Sequence, residues 1–317
     1  MNIRELAKIQ AEQGLKLVPG HRMCAGCGIN TIVRTILSAS KDPVIVVNAT
    51  GCLEVVTTIY PYTAWNVPWL HVTFLNAASA ASGVEAAYRA LKKKGVVKDK
   101  VNIIAFGGDG GTYDIGLQAL SGAFERGHNF LYVCYDNEGY MNTGHQRSAA
   151  TPFGASTTTA PSGKVSFGKG EWRKDLVKIA AAHNIPYVAQ ASIWKVVDLY
   201  NKAEKALSIE GPKFINVLMP CTTNWAFPEN LTIKIAKLAT ETNFWPIYEI
   251  ENGVLTINYK PKERKPIEEF LKLQTRFKHL FKPENKHVIE EMQKKIDEDW
   301  ENLLKLERIT HEEGVRL

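Results

Sequence analysis

The sequence has 317 residues, of which 45% are hydrophobic, and carries a formal net charge of +6 at pH 7. This length predicts one large α/β domain or two smaller domains, with enough apolar residues to bury a sizeable core. The lysine-rich stretches at 92–100 and 260–286 are typical of solvated surfaces, and no spacing typical of a helix-turn-helix, RNA-binding or zinc-finger module is present. We therefore expect no nucleic acid partner.

The N-terminal residues 1–14 are polar and predict a helix rather than the apolar core of a signal peptide. No run of about 18 apolar residues is present, so we expect no membrane span and a cytoplasmic location. In the cytoplasm, cysteines are more often metal ligands or catalytic groups than structural disulfides. The five cysteines of this sequence are therefore candidates for chemistry.

Apolar runs alternate with helical segments along the first 225 residues. Runs that end in small or polar residues predict buried parallel strands at 42–51, 100–111, 129–139, 187–192 and 212–221. Predicted helices lie at 77–95, 113–128, 176–184 and 196–208. This alternation predicts an α/β fold with a mostly parallel sheet and helices on both faces. Ligands of such sheets bind at the carboxyl ends of the strands.

The composition changes in the second half of the chain. Residues 150–175 are rich in Thr, Ser, Gly and Pro, and a loop this long is usually functional or covered by a partner. From residue 260 the sequence is charged, with apolar residues at helical spacing. We therefore divide the chain into a domain at 1–225 and a largely helical C-terminal extension at 226–317. The extension either packs on its own domain or embraces another subunit.

Cys52, Asp109, Asn137 and Cys221 each follow an apolar run, so we expect all four at the same edge of the sheet. The loop "GGDGGTYD" at 107–114 precedes a helix, where glycines allow close approach and free N–H groups favour phosphate. Asp109 is a hard oxygen ligand suited to Mg²⁺. Asn137 follows after one helix and one strand, a crossover that returns the chain beside Asp109. These residues predict a site for a phosphate and a magnesium ion.

The cysteine pattern starts with the pair Cys24 and Cys27 in "CAGCG". Together with Cys52 and Cys221 they offer four thiolates, which hold either an iron–sulfur cubane or a structural zinc ion. The spacing alone does not separate these two possibilities. Cys134 lies inside the apolar run "LYVCY", and we predict a core position for it.

Five motifs in order, "CAGCG", "NATGC", "GDGGTYDIG", "YDNEGYMNTG" and "ATPFGA", resemble the β subunits of 2-oxoacid:ferredoxin oxidoreductases. The resemblance covers about residues 20–225, and the tail is also similar. Gly-Asp-Gly followed at this distance by Asn resembles the thiamine diphosphate motif. The resemblance implies a thiamine diphosphate-binding fold, with pyruvate, coenzyme A and oxidised ferredoxin converted to acetyl-CoA, CO₂ and reduced ferredoxin. Sibling enzymes act on oxalate or on branched 2-oxoacids.

The same resemblance implies thiamine diphosphate, Mg²⁺ and one [4Fe-4S] cluster as cofactors. The implied cluster ligands are Cys24, Cys27, Cys52 and Cys221, and the implied magnesium ligands are Asp109, Asn137 and Gly139. The implied cofactor contacts are Cys52, Gly108, Asp109, Gly110, Gly111, Asn137, Glu138, Gly139, Tyr140, Met141 and Asn142. Asn142 matches an asparagine near the reactive carbon and is the candidate catalytic residue.

Ile29 departs from the family pattern, and the role of His145 is open. Ile29 stands where many relatives have Glu, so a polar contact to the thiamine is missing or replaced. For His145, a surface or partner contact is favoured over an acid–base role. A zinc-stapled, non-catalytic subunit is the alternative from another class. A nicotinamide dehydrogenase is disfavoured because "GGDGG" is not the Gly-x-Gly-x-x-Gly fingerprint.

The resemblance also implies partners, because only the diphosphate-holding half of a thiamine site is found here. The implied partners are an α subunit with the pyrimidine-binding domain, γ and ferredoxin-like δ subunits, separate or fused, ferredoxin and coenzyme A. We expect the chain to be active only with these subunits.

Overall fold

The computed structural model describes residues 1–317 and contains one eight-stranded sheet. The strands are β1 (Val44–Ala49), β2 (Trp69–Val72), β3 (Asn102–Gly108), β4 (Leu131–Asp136), β5 (Tyr187–Ser192), β6 (Lys213–Leu218), β7 (Ile247–Glu251) and β8 (Val254–Tyr259). Their order across the sheet is β2-β1-β3-β4-β6-β5-β7-β8. The first six strands run parallel, whereas β7 and β8 are antiparallel. The predicted mostly parallel sheet is confirmed.

Ten α-helices accompany the sheet. They are α1 (Ile3–Gln13), α2 (Ile29–Ser38), α3 (Cys52–Thr57), α4 (Ala77–Lys93), α5 (Leu117–Glu125), α6 (Leu176–Ala181), α7 (Val196–Ser208), α8 (Thr232–Glu241), α9 (Glu268–Leu271) and α10 (Lys286–Glu312). None of them combines the length and apolar character that crossing a membrane requires.

Helices cover both faces of the sheet, because side chains of a buried strand alternate between faces. Val46 of β1 belongs to the apolar cluster that includes residues of α1, α2 and α7, whereas the next residue, Val47, belongs to the cluster that includes residues of α4, α5 and α6. Both faces are therefore apolar, which explains why these strands are near-continuous hydrophobic runs in the sequence.

One predicted helix is wrong at its start. Instead of a single helix at 113–128, a π-helical turn spans Gly110–Ile115 and α5 follows at Leu117–Glu125. The N–H of Gly116 donates to the carbonyl of Gly111, five residues earlier, over 2.8 Å. A side chain at Gly116 would collide with that carbonyl oxygen, so glycine permits the turn. π-Helical turns of this kind are frequent at functional sites.

The C-terminal extension packs on its own domain. Its strands β7 and β8, which the sequence analysis did not predict, continue the sheet beyond β5. In α10, Met292 and Ile296 belong to an apolar cluster that also contains Met141, while Leu303 joins the cluster on one face of the sheet. The division of the chain at residue 225 therefore stays a prediction, because buried residues on both sides of it share one core.

The long segment at 150–175 is ordered by packing. The rings of Phe153 and Trp172 stack with centroids 4.4 Å apart. Lys169 is 1% exposed, and its Nζ donates to the carbonyl of Thr151 over 2.6 Å. The segment thus forms a compact wall beside the carboxyl ends of β3 and β4, next to the candidate site.

Candidate active site

A cavity of about 170 Å³ lies at the carboxyl ends of β1, β3 and β4. Nine of the eleven predicted cofactor contacts line it, namely Cys52, Gly108, Asp109, Gly110, Asn137, Gly139, Tyr140, Met141 and Asn142. The sheet therefore brings the two predicted loops, at 107–114 and 137–142, to one place. Gly111 and Glu138 do not line the cavity.

Three oxygen atoms of the predicted magnesium ligands face one another at the cavity. The side-chain oxygen of Asn137 lies 2.8 Å from Asp109 Oδ1 and 2.9 Å from the carbonyl oxygen of Gly139. Rotating the Asn137 amide would turn both contacts into hydrogen bonds. The arrangement therefore accepts either an amide donor or, unrotated, a cation that three oxygens contact together.

Asp109 is a fully buried carboxylate with few partners. Ser148 donates to its Oδ2 over 2.6 Å, and the N–H of Asn137 donates to its Oδ1 over 3.2 Å. Burial, followed by the nearby charge of Asp136, raises the pKa of Asp109 well above its usual range, and the two hydrogen bonds oppose this rise. A cation beside Oδ1 would remove the cost of burying this charge.

Beneath the cavity, two further buried carboxylates are held by arginines. Arg173 donates to Asp136 over 2.7 Å and to Glu138 over 2.9 Å. Arg276 of the C-terminal extension donates to the other oxygen of Glu138 over 2.5 Å. The side chain of Glu138 therefore points into the protein and supports the loop at 137–142 from below.

Aromatic rings close over the glycine loop. A Cβ atom on Gly110 would lie 2.5 Å from the ring of Tyr140, and one on Gly108 would lie 3.1 Å from the ring of Tyr135. Tyr140 is fixed by its hydroxyl, which donates to Asp114 over 2.7 Å. A larger residue at Gly110 would therefore displace the Tyr140 ring, whereas one at Gly108 would press on Tyr135.

The predicted cysteine loop docks against the segment that follows Cys221. The N–H of Cys27 donates to the carbonyl of Cys24 over 3.1 Å and closes the turn between them. Thr222, next to Cys221, donates to the carbonyl of Ala25 inside that turn over 3.0 Å. Chain segments almost 200 residues apart are thereby joined at one place.

The four predicted cluster thiols influence one another electrostatically. Burial raises the pKa of Cys27 to about 11 and that of Cys52 to about 12, and the charges of the other predicted thiols add to both shifts. The N–H groups of Asn224 and Thr223 lower the pKa of Cys221, although burial still raises it overall. No three His, Cys, Asp or Glu side chains are gathered closely enough to hold an ion, so cluster ligation stays a prediction.

Three residues that the sequence analysis discussed lie outside the cavity. Cys134 is fully buried in β4 among residues of α4 and α5, as predicted. Ile29 is 1% exposed at the start of α2 and packs in the core, so no polar contact comes from its side chain. Burial lowers the pKa of His145 to about 4, and it does not line the cavity.

Sequence reasoning missed several residues of the site. The additional lining residues are Thr50, Gly51, Phe74, Tyr135 and Thr143. The buried Ser148 and Arg276 and the half-buried Arg173 hold the loop but lie in ordinary sequence surroundings. Thr50 and Gly51 directly precede Cys52, so their place beside a predicted strand end was a usable signal.

Comparison with known proteins agrees with this geometry. The family model for the C-terminal thiamine pyrophosphate-binding domain of thiamine pyrophosphate enzymes matches residues 49–217. The pyruvate synthase subunit PorB of Methanocaldococcus jannaschii is 57% identical, over 88% of this chain and 93% of that protein. The ketoisovalerate oxidoreductase subunit VorB of Pyrococcus abyssi is 46% identical, over 92% of this chain and 93% of that protein.

A solved structure shows the same fold. The 2-oxoglutarate:ferredoxin oxidoreductase of Magnetococcus marinus, with 2-oxoglutarate, coenzyme A and succinyl-CoA bound, has a TM-score of 0.55 and 22% identity. The alignment covers 66% of this chain and 67% of that chain. From the family match, the extent of identity and the cavity at the strand ends, we conclude that the chain belongs to the thiamine pyrophosphate-dependent 2-oxoacid:ferredoxin oxidoreductases as a β subunit.

Proposed function

We propose that this subunit acts in the oxidation of pyruvate, in which pyruvate, coenzyme A and oxidised ferredoxin give acetyl-CoA, CO₂ and reduced ferredoxin. The observation that carries the proposal is the group of three oxygens from Asp109, Asn137 and Gly139 at the mouth of a glycine loop. Pyruvate is favoured over a branched 2-oxoacid because the pyruvate synthase relative shares 57% identity and the ketoisovalerate relative 46%.

The residues present fit a magnesium ion and a diphosphate. Adjacent ligand oxygens of an octahedral Mg²⁺ ion lie about 2.9 Å apart, because each is about 2.1 Å from the ion. The separations of 2.8 and 2.9 Å around the Asn137 amide are compatible with that value, and they equally suit hydrogen bonds once the amide is rotated. Asp109, Asn137 and the Gly139 carbonyl would hold the ion, and the N–H groups near Gly110 and Gly111 would face the diphosphate.

Thiamine diphosphate, when bound, supplies the carbanion chemistry that releases CO₂ from a 2-oxoacid. The residues of this chain position the cofactor and exclude water. Tyr140 and Phe74, with ring centroids 5.7 Å apart, flank the cavity next to Gly110. Asn142 is exposed at the cavity and makes no hydrogen bond within the chain, so its amide is free to contact a substrate.

Cys24, Cys27, Cys52 and Cys221 would hold a [4Fe-4S] cluster, which supplies a one-electron acceptor beside the thiamine. Cys52 would link the two centres, because it lines the cavity and packs, like Cys221, against the apolar cluster that contains Met141. The N–H groups that lower the pKa of Cys221 would also stabilise its thiolate as a ligand. Cys134 faces another part of the core and takes no part.

The exposed surface around the cavity fits a partner subunit. Tyr60 is 94% exposed and Tyr62 79% exposed, and both follow α3, which begins at the cavity residue Cys52. Leu75 and Ile115 are also exposed, directly beside Phe74 and at the end of the π-helical turn. Exposed apolar side chains beside a cavity are typical of interaction sites, and an α subunit with the pyrimidine-binding domain would cover Leu75 and Ile115.

Anaerobic reconstitution with the partner subunits tests the proposal. Dye reduction is measured with pyruvate, 3-methyl-2-oxobutanoate, 2-oxoglutarate and oxalate, each with and without coenzyme A. We expect the highest kcat/KM with pyruvate, and only when coenzyme A is present. A higher kcat/KM with another 2-oxoacid would refute pyruvate as the substrate. No reduction with any of them, in a complex that contains both cofactors, would refute the proposed activity.

A further inference from the structure

A second cavity, of about 540 Å³, lies at the opposite edge of the sheet. It is bordered by α4 and by the starts of β3 and β6, at Asn102 and Lys213. Strands of six or seven residues separate the two edges by about 20 Å. The second cavity is therefore a different place from the thiamine cavity at the carboxyl ends of the strands.

Positive charge predominates in this cavity. Five cationic residues line it, namely Arg89, Lys92, Lys93, Lys100 and Lys213, together with two carboxylates, Glu85 and Glu210. Glu85 is already engaged, because its carboxylate lies 2.7 Å from Nδ1 of His128 and 3.8 Å from Arg89. Lys92 and Lys93 have no carboxylate within 4.0 Å. Lys100 lies 3.5 Å from Asp42, so Lys92, Lys93 and Lys213 are the lining cations without a carboxylate within 4.0 Å, and the cavity keeps a net positive charge.

The ammonium group of Lys213 lies at the bottom of this second cavity. It is 4% exposed, and its only hydrogen bond runs from Nζ to Oδ1 of Asn129 over 2.5 Å. The nearby Glu210 accepts from Asn129 and not from Lys213. Two of the three donors on Nζ are therefore free. A buried ammonium group without a bound carboxylate is costly, and an anion in the cavity would offset that cost.

The wall of the cavity is aromatic and apolar. The Tyr88 hydroxyl donates to the carbonyl of Asp99 over 3.0 Å and accepts from the N–H of Val101 over 3.2 Å. These bonds fix the tyrosine against the loop before β3. Leu207 and Ile209, at the end of α7, line the cavity as well. The lining therefore combines a few apolar side chains with several cations, and the Lys92 ammonium lies over the Tyr88 ring, 5.6 Å from its centroid.

We propose that this cavity binds a phosphorylated nucleotide. Lysine and arginine side chains bind phosphate oxygens through charge-assisted hydrogen bonds, and a flat base would lie against the aromatic and apolar wall. The volume is within the range of small-molecule sites, about 300–1,000 Å³. The nucleotide would bind about 20 Å from the thiamine cavity, at the other ends of β3 and β6. A nucleotide bound there is too far from the thiamine cavity to be a reactant.

A matched pair of double variants tests the nucleotide site in the assembled oxidoreductase. Lys92→Ala/Lys100→Ala removes two cavity lysines. Lys94→Ala/Lys98→Ala removes the same charge from exposed positions in the same segment that do not line the cavity. ATP binding is measured by calorimetry in phosphate-free buffer, with inorganic phosphate and adenosine as further probes.

We expect ATP to bind saturably, with at least a tenfold loss of affinity in the cavity pair and less than a twofold loss in the control pair. Inorganic phosphate and adenosine should each bind more weakly than ATP. The absence of saturable ATP binding, or an equal loss in both pairs, would overturn the proposal. So would inorganic phosphate that binds as tightly as ATP, because no nucleotide would then be recognised.

Discussion

At the scale of single residues, Asp109 is the position on which the cofactor site depends. Its carboxylate is fully buried, faces the Asn137 side chain with one oxygen and receives a hydrogen bond from Ser148 on the other. The sequence identified Asp109 and Asn137 through their places after two strands. It did not identify Ser148, because nothing in a serine of a long loop indicates that its hydroxyl will reach back to a carboxylate.

We predict that Asp109→Ala lowers the rate of pyruvate-dependent dye reduction at least a hundredfold, because the magnesium ion that would bind the diphosphate loses a ligand. The visible absorbance of the iron–sulfur cluster should remain, since Asp109 is not among the thiolate ligands. Bound thiamine diphosphate, assayed after gel filtration, should fall in parallel. Asp99→Ala, at an exposed carboxylate, serves as the control. Full activity in Asp109→Ala would show that the magnesium assignment is wrong.

Lys213 predicts a pH dependence of stability. Burial lowers its pKa in the folded protein to about 8 from 10.5. Below pH 8 the folded state carries the full cost of a buried charge, about 3 kcal/mol at 1.4 kcal/mol per pKa unit. Between pH 8 and 10.5 the unfolded state binds more protons than the folded state. The free energy of unfolding therefore increases as the pH rises through this range.

We therefore predict that Lys213→Met increases the free energy of unfolding at pH 7 by up to about 3 kcal/mol. The advantage of the variant over the wild type should shrink as the pH rises to 10.5. Urea unfolding in phosphate-free buffer at several pH values measures it, with Lys94→Met as the exposed control. A gap between variant and wild type that does not change with pH would contradict the prediction.

At the scale of elements, the π-helical turn and the loop over it form the proposed cofactor site. The sequence predicted a helix near this place but not its π-helical first turn, because that turn depends on contacts with Tyr140 and on the glycine at 116. It missed the edge strand β2, whose four residues are half exposed, and the antiparallel pair β7 and β8. β2 is an edge strand of four residues, and so short a strand carries little hydrophobic pattern of its own.

Gly110→Ala tests the close contact between the turn and the ring of Tyr140. The added methyl group would lie 2.5 Å from that ring, so Tyr140 must move away from the cavity. We expect at least a tenfold loss of affinity for thiamine diphosphate, measured by titration of the cofactor-depleted complex. Gly83→Ala, in α4 where nothing lies within 4 Å, adds the same methyl group as a control and should leave affinity unchanged. Equal affinities in both variants would contradict the close packing.

Arg276 connects the C-terminal extension to the cofactor loop. It is 3% exposed, donates to Glu138 and lies with its guanidinium carbon 3.7 Å from the ring centroid of Trp225. Trp225 in turn donates to the carbonyl of Asn137 over 2.8 Å. Two residues of the later chain thus support both sides of the predicted metal loop.

We predict that Arg276→Met lowers the free energy of unfolding by about 3–5 kcal/mol, because it leaves the buried charge of Glu138 short of a partner. Adding Glu138→Gln should restore at least half of that loss, since the uncompensated charge is then removed. Denaturant unfolding of the two single variants and the double variant gives the coupling. If the stability losses of the two single variants add up to the loss of the double variant, Arg276 and Glu138 do not stabilise each other.

At the scale of the whole molecule, parallel topology explains why the sequence predicted the site better than its surroundings. Cys52, Asp109 and Asn137 come directly after strands, and the sheet necessarily brings such residues to one edge. Residues such as Arg173 and Arg276 reach the site from distant loops. Their positions follow from tertiary packing, which no local pattern encodes.

The thiamine cavity opens toward one surface of the molecule. The thiamine cavity is flanked by exposed apolar side chains, and the cationic cavity occupies the far edge of the sheet. The chain therefore has one surface suited to a partner subunit and a separate cavity suited to an anionic small molecule. Both follow from a fold in which strand ends, and not strand faces, meet the solvent.

The most direct test is the iron and acid-labile sulfide content of the anaerobically purified complex, compared between Cys221→Ser and Cys134→Ser. We predict that this chain contributes about four iron and four sulfide in the wild type and in Cys134→Ser, and that Cys221→Ser loses most of this cluster. One zinc ion in place of the iron, or a loss confined to Cys134→Ser, would contradict a thiol-held electron acceptor beside the thiamine site.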